Sequence, residues 1–371
     1  MIFRAAARLH VRRMMSTTTN NPWLMLPPTF DRSRGGMLYN FYSPADEEVV
    51  RINKYGPGPD PPELPDDKAV VVGSSHGWLA FMNRRNNDHF LSNPITRRHI
   101  KLPPVDSLPN PEFNLDRGSG KARVSKLILS ASPDDADCRA VASFGPSDRL
   151  AFCRPGHSLE WAPIGQLFME REDDTFSLRY ARAYEDFAFS SKGNVFTCLT
   201  MSHLHDWGLE DWDLTSVDSP RIDWIRRQGD EGEKSDDDVE MKQHLAYAEQ
   251  TGELFVVNRL VKECRTRSFD VSRVEKEEGG WMKILRCSLR DTALFVGTNH
   301  SFAVTAPHLK PNSIYFADSS GDQGRSDVGI YDCADKTFSN CYYSYDGHHT
   351  ALNNTDTTVV PATIWYTPTL V

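Results

Sequence analysis

The sequence predicts an all-β fold, a single β-propeller of about six or seven blades behind a flexible N-terminal targeting segment. Two observations carry this expectation. Apolar runs that read as the inner strands of blades occupy 77–81, 138–144, 193–198, 252–257 and 312–316, most of them opening on a Gly or Asn turn residue, with starts roughly 55 to 60 residues apart, close to the longer propeller-blade repeats. The runs are short, rich in β-branched and aromatic residues and bounded by Gly, Asn and polar turns, with few helical patterns between them, which argues for a closed β array.

Taken in order, residues 1–20 read as a mitochondrial targeting presequence. Arg4, Arg8 and Arg12 fall one turn apart on a helix drawn through Met1 to Met15, while Ile2, Phe3, Ala6, Leu9 and Val11 supply an apolar side. No acidic residue precedes Asp31, and a Ser/Thr cluster occupies 16–19. This is the amphipathic, Arg-rich, acid-poor pattern of organellar import, and it lacks the uninterrupted apolar core of a secretory signal. Arg13-Met14-Met15-Ser16 resembles a matrix-protease site. The expected location is the mitochondrial matrix, ahead of chloroplast or dual targeting.

Residues 21–68 read as an N-terminal segment and Pro-rich linker. Pro22-Trp23-Leu24-Met25-Leu26-Pro27-Pro28 leads into short strand-like pieces, and Pro57, Pro59, Pro61, Pro62 and Pro65 exclude a regular helix or central strand after them. The propeller is expected over 69–371. Within it, Phe269 to Ser272, a charged turn and Trp281 to Ile284 form a hairpin pattern. Near its end, residues 357–366 alternate β-branched and aromatic side chains, as a strand pairing with the N-terminal region to close the ring would.

Composition excludes several classes. The formal charge is -9 across 371 residues, and loss of the four presequence arginines makes the chain more acidic still. Without a basic stripe, general nucleic-acid binding is disfavoured. No stretch approaches the roughly 18 apolar residues of a membrane span, so a soluble mature protein is expected. The seven cysteines are dispersed, with no C-x-x-C pair, which suits free thiols in a reducing compartment. Two glycosylation sequons, at Asn299 and Asn353, are read as chance in an imported protein.

Candidate chemistry is sparse. Gly73-Ser74-Ser75-His76-Gly77 satisfies G-x-S-x-G after an apolar run, which in an α/β-hydrolase makes Ser75 a nucleophile at a strand-to-helix elbow. The next residues are Trp78-Leu79-Ala80-Phe81 and then a polar turn, so a tight turn between blade strands is the preferred reading. His203 and His205 have the spacing of two metal ligands on one strand face, without matching third and fourth ligands. The adjacent pair His348-His349 points to opposite faces of any strand. The acidic run Asp236-Asp237-Asp238 lacks EF-hand spacing, and neither a P-loop nor a dinucleotide fingerprint occurs. The tryptophans at 78, 161, 207, 212, 224, 281 and 365 read as packing wedges between blades.

Several phrases, in order, resemble the plant domain-of-unknown-function family numbered 295, the KIB-type β-propeller family. They are Gly73-Ser74-Ser75-His76-Gly77-Trp78-Leu79, Leu91-Ser92-Asn93-Pro94-Ile95-Thr96, Leu102-Pro103-Pro104, Ala151-Phe152-Cys153-Arg154-Pro155-Gly156, Gly252-Glu253-Leu254, Leu294-Phe295-Val296-Gly297 and Pro311-Asn312-Ser313-Ile314-Tyr315-Phe316. Many members of that family carry an F-box before the propeller, and the resemblance then implies a ubiquitin-ligase substrate receptor. Residues 1–60 show no F-box pattern, so the chain resembles the organellar branch. The expectation is a non-enzymatic, protein-binding propeller with no catalytic, cofactor-binding or metal residues and an unidentified protein partner. Its alternatives are an F-box-like receptor and a serine hydrolase at Ser75.

Overall fold

The computed structural model describes residues 21–31, 36–54, 69–83, 86, 88–108, 124–145, 148–165, 168–173, 176–181, 183–201, 208–215, 221–226, 239–276, 282–320, 325–342, 357–359 and 363–368. These residues are strands and connecting turns, with a single 3-10 turn at Val105–Ser107. The architecture is a β-propeller, as expected.

Strands β1 (Trp23–Asp31), β2 (Gly36–Ser43) and β3 (Glu48–Lys54) form an antiparallel meander. The ladder between β1 and β2 shifts between Leu26 and Thr29, where Pro27 and Pro28 stand, so two residues without an N–H occupy a bulge rather than regular pairing. The segment expected to precede the propeller is therefore corrected: β1, β2 and β3 are strands of the ring. Its proline-rich part, 55–68, lies outside the described residues.

Next come β4 (Ala69–Ser75), β5 (Trp78–Asn83), β6 (His89–Ser92) and β7 (His99–Lys101), then β8 (Val124–Leu129), β9 (Ala140–Phe144), β10 (Arg149–Cys153) and β11 (Ala162–Ile164), each group a four-stranded sheet in chain order. A separate hairpin, β12 (Phe168–Asp173) and β13 (Phe176–Ala181), precedes the sheet of β14 (Ala183–Ser190), β15 (Val195–Met201), β16 (Gly208–Asp213) and β17 (Arg221–Arg226). Beyond it lie β18 (Glu240–Ala248), β19 (Glu253–Lys262), β20 (Arg265–Lys276) and β21 (Met282–Arg286).

The last group is β22 (Ala293–Gly297), β23 (Phe302–Val304), β24 (Ser313–Ser320), β25 (Arg325–Asp332) and β26 (Thr337–Ser339). Here β22 pairs in parallel with β24, and β23 reaches across to pair Phe302 with Tyr247 of β18, fusing two sheets into one of nine strands. Finally β27 (Thr357–Val359) and β28 (Ile364–Tyr366) return to β1, with Trp23 opposite Tyr366 and Met25 opposite Ile364. The alternating C-terminal run thus pairs with the N-terminal strand, as its pattern suggested.

Around the axis, β4 packs on β8, β8 on β14, β14 on β18, β18 on β22, β22 on β28 and β28 on β4. Apolar clusters fill the gaps between neighbouring sheets. Leu127, Leu129 and Trp78 fill one, Ile128, Phe152 and Phe187 the next, and Leu199, Leu209 and Leu245 a third. Val257, Leu294 and Phe316 occupy the fourth; Phe295, Tyr315 and Trp365 join β22 and β24 to β28, and Phe41, Phe81 and Tyr366 complete the circuit. Full burial of each such side chain stabilises by roughly 1.5–3 kcal/mol, so the seams hold the ring together.

The recurring motif marks a different depth from the one its spacing suggests. The runs read as inner strands are β5, β9, β15, β19 and β24, each standing second or later in its group. The Gly or Asn before most of them belongs to the preceding turn and carries positive φ: Gly77 at 77°, Asn194 at 51°, Gly252 at 76° and Asn312 at 50°. Turn chemistry, not proximity to the axis, creates the signal.

Candidate functional site

Ser75 is placed by turn geometry. It pairs with Trp78 across a two-residue hairpin in which His76 and Gly77 both have positive φ, the combination a type I′ turn requires. The segment continues as β5, so the strand-turn-helix elbow of a hydrolase is not formed. The Ser75 hydroxyl is buried and accepts the Leu129 N–H at 2.8 Å, tying β4 to β8. Nearby, a Cβ on Gly73 would lie 1.9 Å from the Leu127 carbonyl oxygen, so glycine is needed for the approach of two backbones. The G-x-S-x-G match is thus built into a contact between sheets.

His203, His205, His348, His349 and Asp236 to Asp238 lie outside the described residues. Of the tryptophans expected as wedges, Trp78, Trp161, Trp212 and Trp365 are buried in the seams. Trp365 donates to the Val296 carbonyl at 3.1 Å and Trp161 to that of Pro103 at the same distance. All seven cysteines are free thiols. Among the described residues, no group of three or more His, Cys, Asp or Glu is placed to hold a metal ion.

A polar cluster lies at the inner edge of the ring, built from successive groups of strands. Lys126 of β8 bonds to Asp186 of β14, and its ammonium stands 5.1 Å from the Phe187 ring centroid. Asp186 also accepts the N–H of Phe187 and that of Leu245 in β18, each at 2.8 Å, so one carboxylate links three sheets. His244 of β18 brings Nδ1 to 3.9 Å from the other Asp186 oxygen, too long for a hydrogen bond, and its Nε2 is buried without a partner. His76, in the turn after β4, and His300, in the turn after β22, are half-buried and lie within electrostatic reach of each other; His300 also senses Lys126.

Electrostatics keep these imidazoles neutral. Burial, then Lys126 and His76, push His300 down to about 3. Burial and the cations Arg259, Lys126 and Lys242 lower His244 well below its ordinary value, and burial lowers His76. Beside the cluster, Glu185 is raised by burial, against the Gln243 N–H that it accepts. The surrounding cations have carboxylate partners: Arg259 holds Asp318 at 3.0 Å and Asp327 at 2.9 Å, while Lys242 lies 3.5 Å from Asp318. The described arrangement is thus charge-balanced, with neutral imidazoles added.

This cluster was not found from sequence, although a signal existed. Lys126 and Asp186 are 60 residues apart, and His244 stands at a similar interval beyond, so a charged or imidazole side chain recurs at the blade spacing.

A family model described as the KIB1-4 beta-propeller matches residues 41–332. Among solved structures, the chain is similar to the major Malassezia sympodialis allergen Mala s 1 at 10% identity, with a TM-score of 0.37, over 83% of this chain and 87% of that one. It is also similar to a putative 6-phosphogluconolactonase from Bacteroides uniformis at 12% identity and a TM-score of 0.36, covering 93% and 98% of the two chains. The Myceliophteria thermophila Cps50 (Swd1) β-propeller domain aligns at 9% identity and a TM-score of 0.36, over 85% and 84%. No curated protein matches the chain.

Proposed function

The chain belongs to the KIB1-4 β-propeller family, and we propose that it is a six-bladed, non-enzymatic scaffold that binds a protein partner in the mitochondrial matrix. One observation carries the binding role. Pairing of β28 with β1 brings the chain ends together, and the apolar faces are buried in the seams between sheets, so a rigid ring presents its turns and loops as the variable surface. The blade count rests on the circuit of inner strands β4, β8, β14, β18, β22 and β28. The compartment rests on Arg4, Arg8, Arg12 and Arg13 and the absence of acidic residues before Asp31.

Proximity labelling with the full chain in living cells tests both parts of the proposal. It should enrich matrix proteins, one of which co-purifies with the untagged chain. A nuclear or cytosolic neighbour set would overturn the compartment. Recovery of the chain without any reproducible neighbour would overturn the scaffold role. Labelling with an activated fluorophosphonate addresses the hydrolase alternative, and Ser75-dependent incorporation would refute the non-enzymatic part.

A further inference from the structure

We propose that Lys126, His244 and His300 form an axial site for a small oxyanion, of carboxylate or phosphate type, that binds together with a proton. The geometry begins with an unmet valence. The His244 Nε2 is buried without a protein partner, in a residue only 8% exposed, and a buried polar atom in that state is costly unless an occupant satisfies it. Lys126 commits its ammonium to one carboxylate, that of Asp186, although an ammonium has three N–H donors. His300, in the turn after β22, lies within electrostatic reach of the same ammonium.

His76 and His300 sit in turns that come after inner strands β4 and β22, and both keep part of their surface exposed while Lys126, Asp186 and His244 are buried.

Charge balance then gives the proton. The groups facing His244 and His300 are Lys126 from β8, Glu185 and Asp186 from β14, Lys242 from β18, Arg259 from β19 and His76 from the turn after β4. Lys126, Lys242 and Arg259 are already balanced by Asp186, Asp318 and Asp327. An added anion would therefore meet no uncompensated cation in this partly desolvated site. Protonation of one imidazole offsets the added charge and supplies another donor, and the anion in turn offsets the burial and the neighbouring cations that disfavour the protonated imidazoles. Binding and proton uptake are thereby linked.

Isothermal titration of the full chain with inorganic phosphate, and separately with malonate, tests the site at pH 7.5 and pH 6.0. Saturable binding should tighten by up to about tenfold per pH unit for one linked proton. Lys126→Met should weaken binding at least tenfold, whereas Lys126→Arg retains it; the second variant keeps the test valid if the first fails to fold. His300→Phe should flatten the pH dependence. Which anion binds more tightly distinguishes phosphate from carboxylate ligands. Absence of saturable binding by either anion in the folded wild type, affinity independent of pH, or affinity unchanged in both Lys126→Met and His300→Phe would overturn the proposal.

Discussion

Replacing Gly73 by alanine probes how tightly the sheets are clamped together. The new Cβ would lie 1.9 Å from the Leu127 carbonyl oxygen and 2.9 Å from the carbonyl carbon. An ordinary contact needs at least about 3.4 Å, so β4 and β8 must separate by roughly 1.5 Å. Neither atom belongs to a side chain that can rotate away, and Leu127 is held in register opposite Ala142 of β9. The 2.8 Å bond from the Leu129 N–H to Ser75 would open with the gap. Overpacking costs about 1–3 kcal/mol even where side chains can yield, and a buried hydrogen bond adds about 1 kcal/mol. The expected loss is therefore roughly 2–4 kcal/mol, read as a lower urea midpoint by tryptophan fluorescence. Gly193→Ala supplies the control, because its nearest neighbours are the Val195 and Ser190 side chains at 3.2 and 3.6 Å. It should cost under about 1 kcal/mol. If Gly73→Ala unfolds within about 1 kcal/mol of wild type, the close approach does not govern this seam and the reasoning fails.

Two further outcomes stem from buried charge. His89 is 1% exposed, neither ring nitrogen has a partner, and burial pushes it from 6.5 down to about 4, with Asp88 partly opposing. Its folded-state value is depressed, so the unfolded chain binds the proton first and stability is lost as pH falls from 6.5 towards 4. At pH 5 the loss is about 2 kcal/mol, and His89→Leu should shrink the difference in unfolding free energy between pH 7 and pH 5 by about that amount; an unchanged difference refutes the assignment. Arg259, 1% exposed, donates to Thr266 at 2.8 Å as well as to Asp318 and Asp327. Arg259→Met leaves those carboxylates only the longer contacts to Lys242 and Arg265, at 3.5 and 3.8 Å, and should cost about 3–5 kcal/mol, whereas Arg259→Lys, which keeps the charge, should cost less; equal costs of the two variants would show that charge is not the cause.

The strands were legible because turns announce them. Gly77, Asn194, Gly252 and Asn312 take positive φ, and only a few residue types do so cheaply, so the turns leave a compositional mark at a regular spacing. That mark fixes where a strand begins and says nothing of which strand faces the axis. The place of β1 to β3 in the ring was not legible, because the strand-like pieces stand before the proline-rich stretch 57–65, and β1 itself pairs only with a bulge between Leu26 and Thr29 that absorbs Pro27 and Pro28. Ser75 was legible as a turn because Trp78 to Phe81 has no helical pattern. The axial cluster was not, since its members are local singletons whose relation appears only when the ring brings successive inner strands side by side.

The same cluster separates what holds the ring from what the ring is for. Apolar seams already account for cohesion between every pair of neighbouring sheets, and they do so without charge. A buried ion pair such as Lys126 with Asp186 adds little net stability, because desolvation offsets most of the Coulomb gain; apolar replacements of similar size are often neutral or stabilising. Asp186 does have a structural use, in accepting the Phe187 and Leu245 N–H groups across a sheet boundary. Lys126 neutralises that buried carboxylate, a need that an apolar replacement of both partners would remove. Three largely desolvated imidazoles compound the cost, and that of His244 keeps its Nε2 without a partner. A fold that needed only closure would fill this space with the Leu, Val and Phe that fill its seams, so the polar axis is best understood as a place kept ready for something that is not part of the chain.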